Sequence, residues 1–88
     1  MNTQIRTSTR TLVGVITPYA WDENDRVTEV SLSATDDEEY IIENGQRFME
    51  LIQKPIRATG IVKSGKKFHR AIQIKKFEML EHTYLVDR

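Results

Sequence analysis

Apolar and polar side chains alternate without a slip from Thr28 to Thr35. Thr28, Val30, Leu32 and Ala34 fall on one face, and Glu29, Ser31, Ser33 and Thr35 on the other. A period of two predicts a strand with one buried face. Upstream, Thr11 to Thr17 is a β-branched run, which also favours a pleated strand. Gly14 inside it predicts a bulge or tight bend. Pro18 ends clean pairing or sits on an edge, and Tyr19-Ala20-Trp21 continues the strand or folds over its end. Residues 1–10 show no period and are expected to form a flexible N-terminal segment. Asp22-Glu23-Asn24-Asp25 and Asp36-Asp37-Glu38 read as turns, and Glu39 to Glu43 as a short third strand.

At Gln46 the period changes. Phe48, Leu51 and Ile52 stand at i, i+3 and i+4, while Arg47, Glu50, Gln53 and Lys54 face away. This spacing predicts an amphipathic helix of about two to three turns, with Asn44 as its N-cap and Pro55 as its stop. Ile56, Ala58, Gly60 and Val62 then alternate with Arg57, Thr59, Ile61 and Lys63. Ser64-Gly65-Lys66-Lys67 reads as a hairpin turn, Phe68 to Phe77 as the last strand, and Glu78-Met79-Leu80-Glu81 as the segment closing the core. Residues 82–88 form a C-terminal tail. The predicted order is strand, strand, strand, helix, strand, strand, in one domain over residues 11–81. The expected core is Leu12, Ile16, Val30, Leu32, Leu51, Ile56, Val62, Ile72 and Ile74.

The class is therefore all-β with one short helix. Five strands of this length cannot bury both faces as a flat sheet, and closure into a barrel removes exposed edges. The runs Leu12-Val13-Gly14-Val15-Ile16, Val30-Ser31-Leu32, Phe48 to Ile52, Ile56 to Val62 and Ile72 to Phe77 carry a resemblance. In that order they resemble the OB-fold, a five-stranded Greek-key barrel with a helix between strands three and four. The glycine of strand one and the Pro55-Ile56-Arg57-Ala58-Thr59-Gly60-Ile61-Val62 run look like small stand-alone bacterial OB proteins. The resemblance implies a ligand face across strands two and three and between the first and last hairpin loops. It leaves the ligand open.

Composition narrows the chemistry. The 88 residues carry 13 bases and 13 acids. Residues 1–45 hold three bases and nine acids, a net −6, and residues 46–88 hold ten bases and four acids, a net +6. Either one surface is basic, or acidic and basic strands lie side by side and compensate. There is no cysteine, which removes disulfides, thiol catalysis and cysteine-bound zinc. No apolar run nears the ~20 residues of a membrane span, and Met1 to Arg6 lacks a secretory h-region. The expectation is a cytoplasmic protein with no membrane partner. Gly60 to Lys66 matches the outline of a phosphate loop, but Lys67 stands where Ser or Thr must hold magnesium and a strand follows. His69 and His82 have no second ligand at metal spacing. Neither an enzyme, a metal site nor a cofactor is expected.

The strongest candidate site is the basic hairpin Lys63, Lys66, Lys67, Phe68 and Arg70. Single-stranded nucleic acid needs cations for phosphates and flat rings for bases. Tyr19, Trp21 and Tyr40 are candidate stacking platforms, or else they plug and cover the core. Asp22, Glu23, Asp25 and Glu29 stand on the opposing side and would repel a polyanion. Two partner readings therefore stand together. One is single-stranded DNA or RNA on the hairpin. The other is a protein partner or self-association, with no nucleic acid. A small ligand or oligosaccharide at the barrel mouth is a weaker third.

Overall fold

The computed structural model describes residues 6–65 and 68–80, and for Gly65 and Phe68 the backbone alone. Lys66, Lys67 and the tail 82–88 lie outside the described residues. The chain is mostly strand: β1 (Arg6–Trp21), β2 (Val27–Ala34), β3 (Glu39–Ile42), a 3₁₀ helix (Gly45–Leu51), β4 (Pro55–Gly65) and β5 (Phe68–Met79). The five strands close in a ring of order β1-β2-β3-β5-β4.

β1 makes the closure possible by serving two neighbours. Its first part pairs with β4 from Arg6↔Ser64 to Val15↔Pro55, and its second with β2 from Gly14↔Ala34 to Trp21↔Val27. Gly14 belongs to both ladders. A Cβ there would collide with the Ser33 carbonyl oxygen, so only glycine lets β1 pass that close to β2. Gly60 has the same role between β4 and β5, where a Cβ would strike the Gln73 carbonyl. There the register jumps from Thr59↔Lys76 to Gly60↔Ile74, leaving Lys75 as an extra residue on β5. That bulge curls the hairpin into the ring.

Two segments differ from expectation. Arg6 to Arg10 belong to β1 and pair with Gly60 to Ser64. Their side chains are exposed on both faces, so no hydrophobic period announces a strand that is held by its backbone ladder and by the side chain of Arg10. The helix is 3₁₀ rather than an amphipathic α-helix. A period of three puts Gly45, Phe48 and Leu51 on one face. Phe48 is buried and Leu51 only half-buried, so Phe48 takes the core place expected of Leu51. Asn44 makes no capping bond. Its side chain bonds both the amide and the carbonyl of Ile74, at 3.0 and 2.8 Å, and so adds a rung where β3 meets β5. That junction is otherwise thin: the parallel pairs Ile41↔Ala71 and Ile42↔Ile72, and the bond from the Glu43 amide to the Ile72 carbonyl at 2.8 Å.

The other eight expected core residues are buried, joined by Ala34, Tyr40, Ile42, Phe48 and Ala58. Met79 is exposed rather than closing the core. Among the described residues no helix is long and apolar enough to cross a membrane.

Candidate functional site

β3 is four residues long and is held at both ends. Before it, the β2–β3 turn (35–38) is tied by the Ala34 amide to the Glu38 carbonyl at 3.0 Å and the Thr35 amide to the Val13 carbonyl at 2.9 Å. Asp36 organises this turn. Its Oδ1 accepts the Glu38 amide at 2.9 Å and its Oδ2 accepts the Tyr40 hydroxyl at 2.7 Å. Arg10 Nη1 donates to the same hydroxyl at 3.2 Å, and Arg10 Nη2 lies 3.9 Å from Asp36. The Tyr40 hydrogen bond, helped by the Glu38 amide and the Arg10 charge, holds the Asp36 carboxyl below its ordinary range despite partial desolvation. Burial first, and then the bond to anionic Asp36, push the Tyr40 phenol up. Tyr40 is 1% exposed. Of the two readings of Tyr40, stacking platform or core plug, its burial fits the second, because strand alternation points position 40 inward beside Ile42.

The same alternation points Glu39, Ile41 and Glu43 outward. Ser31, beside Ile41 on β2, is also outward yet wholly buried. Its hydroxyl donates to Glu39 Oε2 at 2.6 Å, so the Thr17 hydroxyl, 3.0 Å away, must be the donor to Ser31. Two hollows flank Ile41. One, of about 330 Å³, is lined by Tyr19, Glu38, Glu39, Ile41, His69 and Arg70. The other, of about 470 Å³, is lined by Thr28, Glu29, Ile41, Ile42, Glu43, Gly45 and Gln46. Ile41 is common to both.

Of the sequence candidates, Tyr19 and Arg70 meet at the first hollow. Trp21 is exposed at the end of β1 and lines neither hollow. Arg70 Nη1 lies 3.0 Å from Glu38, and Lys63 Nζ 3.1 Å from Glu43. Lys63 and Arg70 are therefore paired with the two acids that flank β3, and that side-by-side arrangement compensates part of the charge asymmetry. The loop opposite is self-contained. Asp22 Oδ1 accepts the amides of Asn24 and Arg26 at 2.8 and 3.0 Å. Gly60 to Gly65 lie within β4, so the described part of the phosphate-loop outline falls on a strand. Among the described residues no group of His, Asp and Glu could hold a metal ion.

Sequence reasoning missed Glu38, Glu39, Ile41, Glu43 and His69 as a site. The usable signal was the acid–apolar–acid alternation at 39, 41 and 43, which becomes a site only when β2 and β5 flank it. No family model matches the chain, and no curated protein or solved structure matches it.

Proposed function

We propose that this chain is a non-catalytic OB-type barrel that binds a protein segment on the outward face of β3. Support for the OB reading comes from the ring order, the parallel β3–β5 contact and the helix between β3 and β4. The resemblance puts ligands across strands two and three, the face that carries both hollows.

The observation that carries the choice of partner is the charge of those hollows. Glu29, Glu38, Glu39 and Glu43 line them against the single guanidinium of Arg70, which Glu38 already pairs. Phosphates gain affinity by releasing counterions to unpaired local cations, and a carboxylate-lined groove offers the reverse. A polypeptide can instead supply complementary cations together with apolar contact to Tyr19 and Ile41.

The test has two arms. Fluorescence anisotropy with random single strands of about 16 nucleotides, the upper site size for one such fold, should show no binding at low salt. Panning of a random peptide display library should enrich binders that the Ile41→Glu protein fails to hold. Ile41 is only partly buried, so this variant should fold, as a melt would verify. Single-strand binding whose logarithm falls with log salt by about 0.7 per phosphate would overturn the proposal. So would an absence of Ile41-dependent peptides.

A further inference from the structure

We infer that the groove takes an extended segment of another protein carrying two basic side chains four positions apart, with an apolar one midway. This rests on the protein-binding reading above and adds the chemistry of the ligand.

The geometry comes from β3 itself. Glu39 and Ile41 are outward on β3, and exposed Glu43 stands just past its end, where its amide still bonds the Ile72 carbonyl of β5. Continuing the strand rise of roughly 3.3 Å per residue puts the first and last about 13 Å apart. A ligand in extended conformation has the same repeat, and its positions i, i+2 and i+4 also share one face. Laid along β3, such a segment sets its middle side chain over Ile41, where the two hollows meet, and its outer ones into the hollows.

Each hollow holds a carboxylate that no cation pairs among the described residues. In the first it is Glu39, whose Oε2 is held by the Ser31 hydroxyl and so has a fixed position. In the second it is Glu29, beside Glu43, which Lys63 already pairs. Glu38 is committed to Arg70. Among the described residues the charge left for a ligand is thus one carboxylate at each end, and a cation at each end of the ligand matches it. A helical ligand fails this fit, since its positions four apart lie only about 6 Å from one another.

The chain's own Lys66-Lys67-Phe68-His69-Arg70 has this spacing, which makes a second copy an alternative occupant that the experiment must separate. Labelled Gly-Thr-Lys-Thr-Leu-Thr-Lys-Thr-Gly would be titrated with the protein at low salt. It would be compared with versions carrying Glu or Ala for both lysines, and with one whose lysines are three apart. The parent should bind about five- to tenfold more tightly than each, the scale of two exposed ion pairs. Glu39→Gln and Glu29→Gln should each remove part of that margin. In the first variant the amide oxygen that replaces the carboxylate can still accept the Ser31 hydrogen bond. Equal binding of the alanine, glutamate or three-apart peptide would overturn the inference while leaving the protein-binding reading intact. Binding of none of the peptides would count against both. Self-association in sedimentation that Glu39→Gln abolishes would overturn the assignment to another protein in favour of a second copy.

Discussion

The two connectors that bracket β3 are anchored by opposite physics. The turn 35–38 is fastened by directional polar bonds, with Asp36 accepting from Tyr40 and the Glu38 amide while Arg10 braces both. The 3₁₀ helix is fastened by volume: Phe48 is buried and meets Phe77 edge-on at 5.0 Å. Directional bonds fix how a segment is rotated, and here they fix Glu38 and Glu39 relative to the first hollow. An apolar plug fixes how close a segment lies, and here it seats the helix whose Gly45 and Gln46 line the second. One end of the groove should therefore respond to pH, and the other to side-chain size.

The largest effect should come from removing the plug. Phe48→Ala should cost about 3–5 kcal/mol, as for other buried phenylalanines. That is a large share of the ~5–15 kcal/mol typical of a domain. The cost, read from denaturant unfolding, should not vary with pH. Leu51→Ala, on the same helical face but half-buried, should cost clearly less. Equal costs would mean that the helix is seated by Leu51 as well, and the contrast would lose its basis.

Breaking the polar clamp should have a smaller effect with a different signature. Tyr40→Phe removes the hydroxyl that Asp36 accepts and should cost about 1 kcal/mol, the lower part of the range for a lost partner, because Asp36 keeps contact with water. The sign of the pH dependence follows from the two shifts. Asp36 titrates below its ordinary 3.8, so its contribution is complete above that value and is lost as pH falls through the lowered pKa. Tyr40 titrates above its ordinary 10.0, so its contribution is complete below that value and is lost as pH rises through the raised one. Melting temperatures across pH should show both limbs in the natural protein. Tyr40→Phe should weaken the acid limb and abolish the tyrosine part of the alkaline one. An unchanged acid limb would show that the clamp does not couple to folding.

The smallest effect sharpens the plugged end. After the helix the chain reverses through Gln53, at φ 75°, a left-handed conformation that costs a side-chain-bearing residue roughly 1–2 kcal/mol. Glycine removes that strain but adds freedom to the unfolded chain. Gln53→Gly should thus raise stability by at most about 1 kcal/mol in the same unfolding assay. A loss would show that the Gln53 side chain makes a contribution that its exposed position does not reveal.

The strands were legible wherever one face is buried and the other wet, since burial then writes a period of two into the sequence. Val30, Leu32, Ile56, Val62, Ile72 and Ile74 were readable as core for this reason. Gly14 was readable as a special position, but its use is the close approach of β1 to β2 and not a bulge, since both ladders run through it without a register shift. Arg6 to Arg10 were not readable, because a strand exposed on both faces buries nothing and leaves no pattern. The helix type was hidden too: Phe48, Leu51 and Ile52 suit a 3.6-residue period as well as Gly45, Phe48 and Leu51 suit a period of three. Only the position of the core relative to the backbone selects between them.

The candidate site divides the same way. Local order in the chain determined that Glu39, Ile41 and Glu43 share a face, and that the basic and acidic halves are separate in sequence. Tertiary structure decided which charges meet. The parallel contact of β3 with β5 brings Arg70 to Glu38, and the curl of β4 brings Lys63 to Glu43. It also decided that Tyr40 faces the core while Tyr19 faces the groove. Ion pairing depends on distances of a few ångströms between residues far apart in sequence, and only closure of the ring brings them that close.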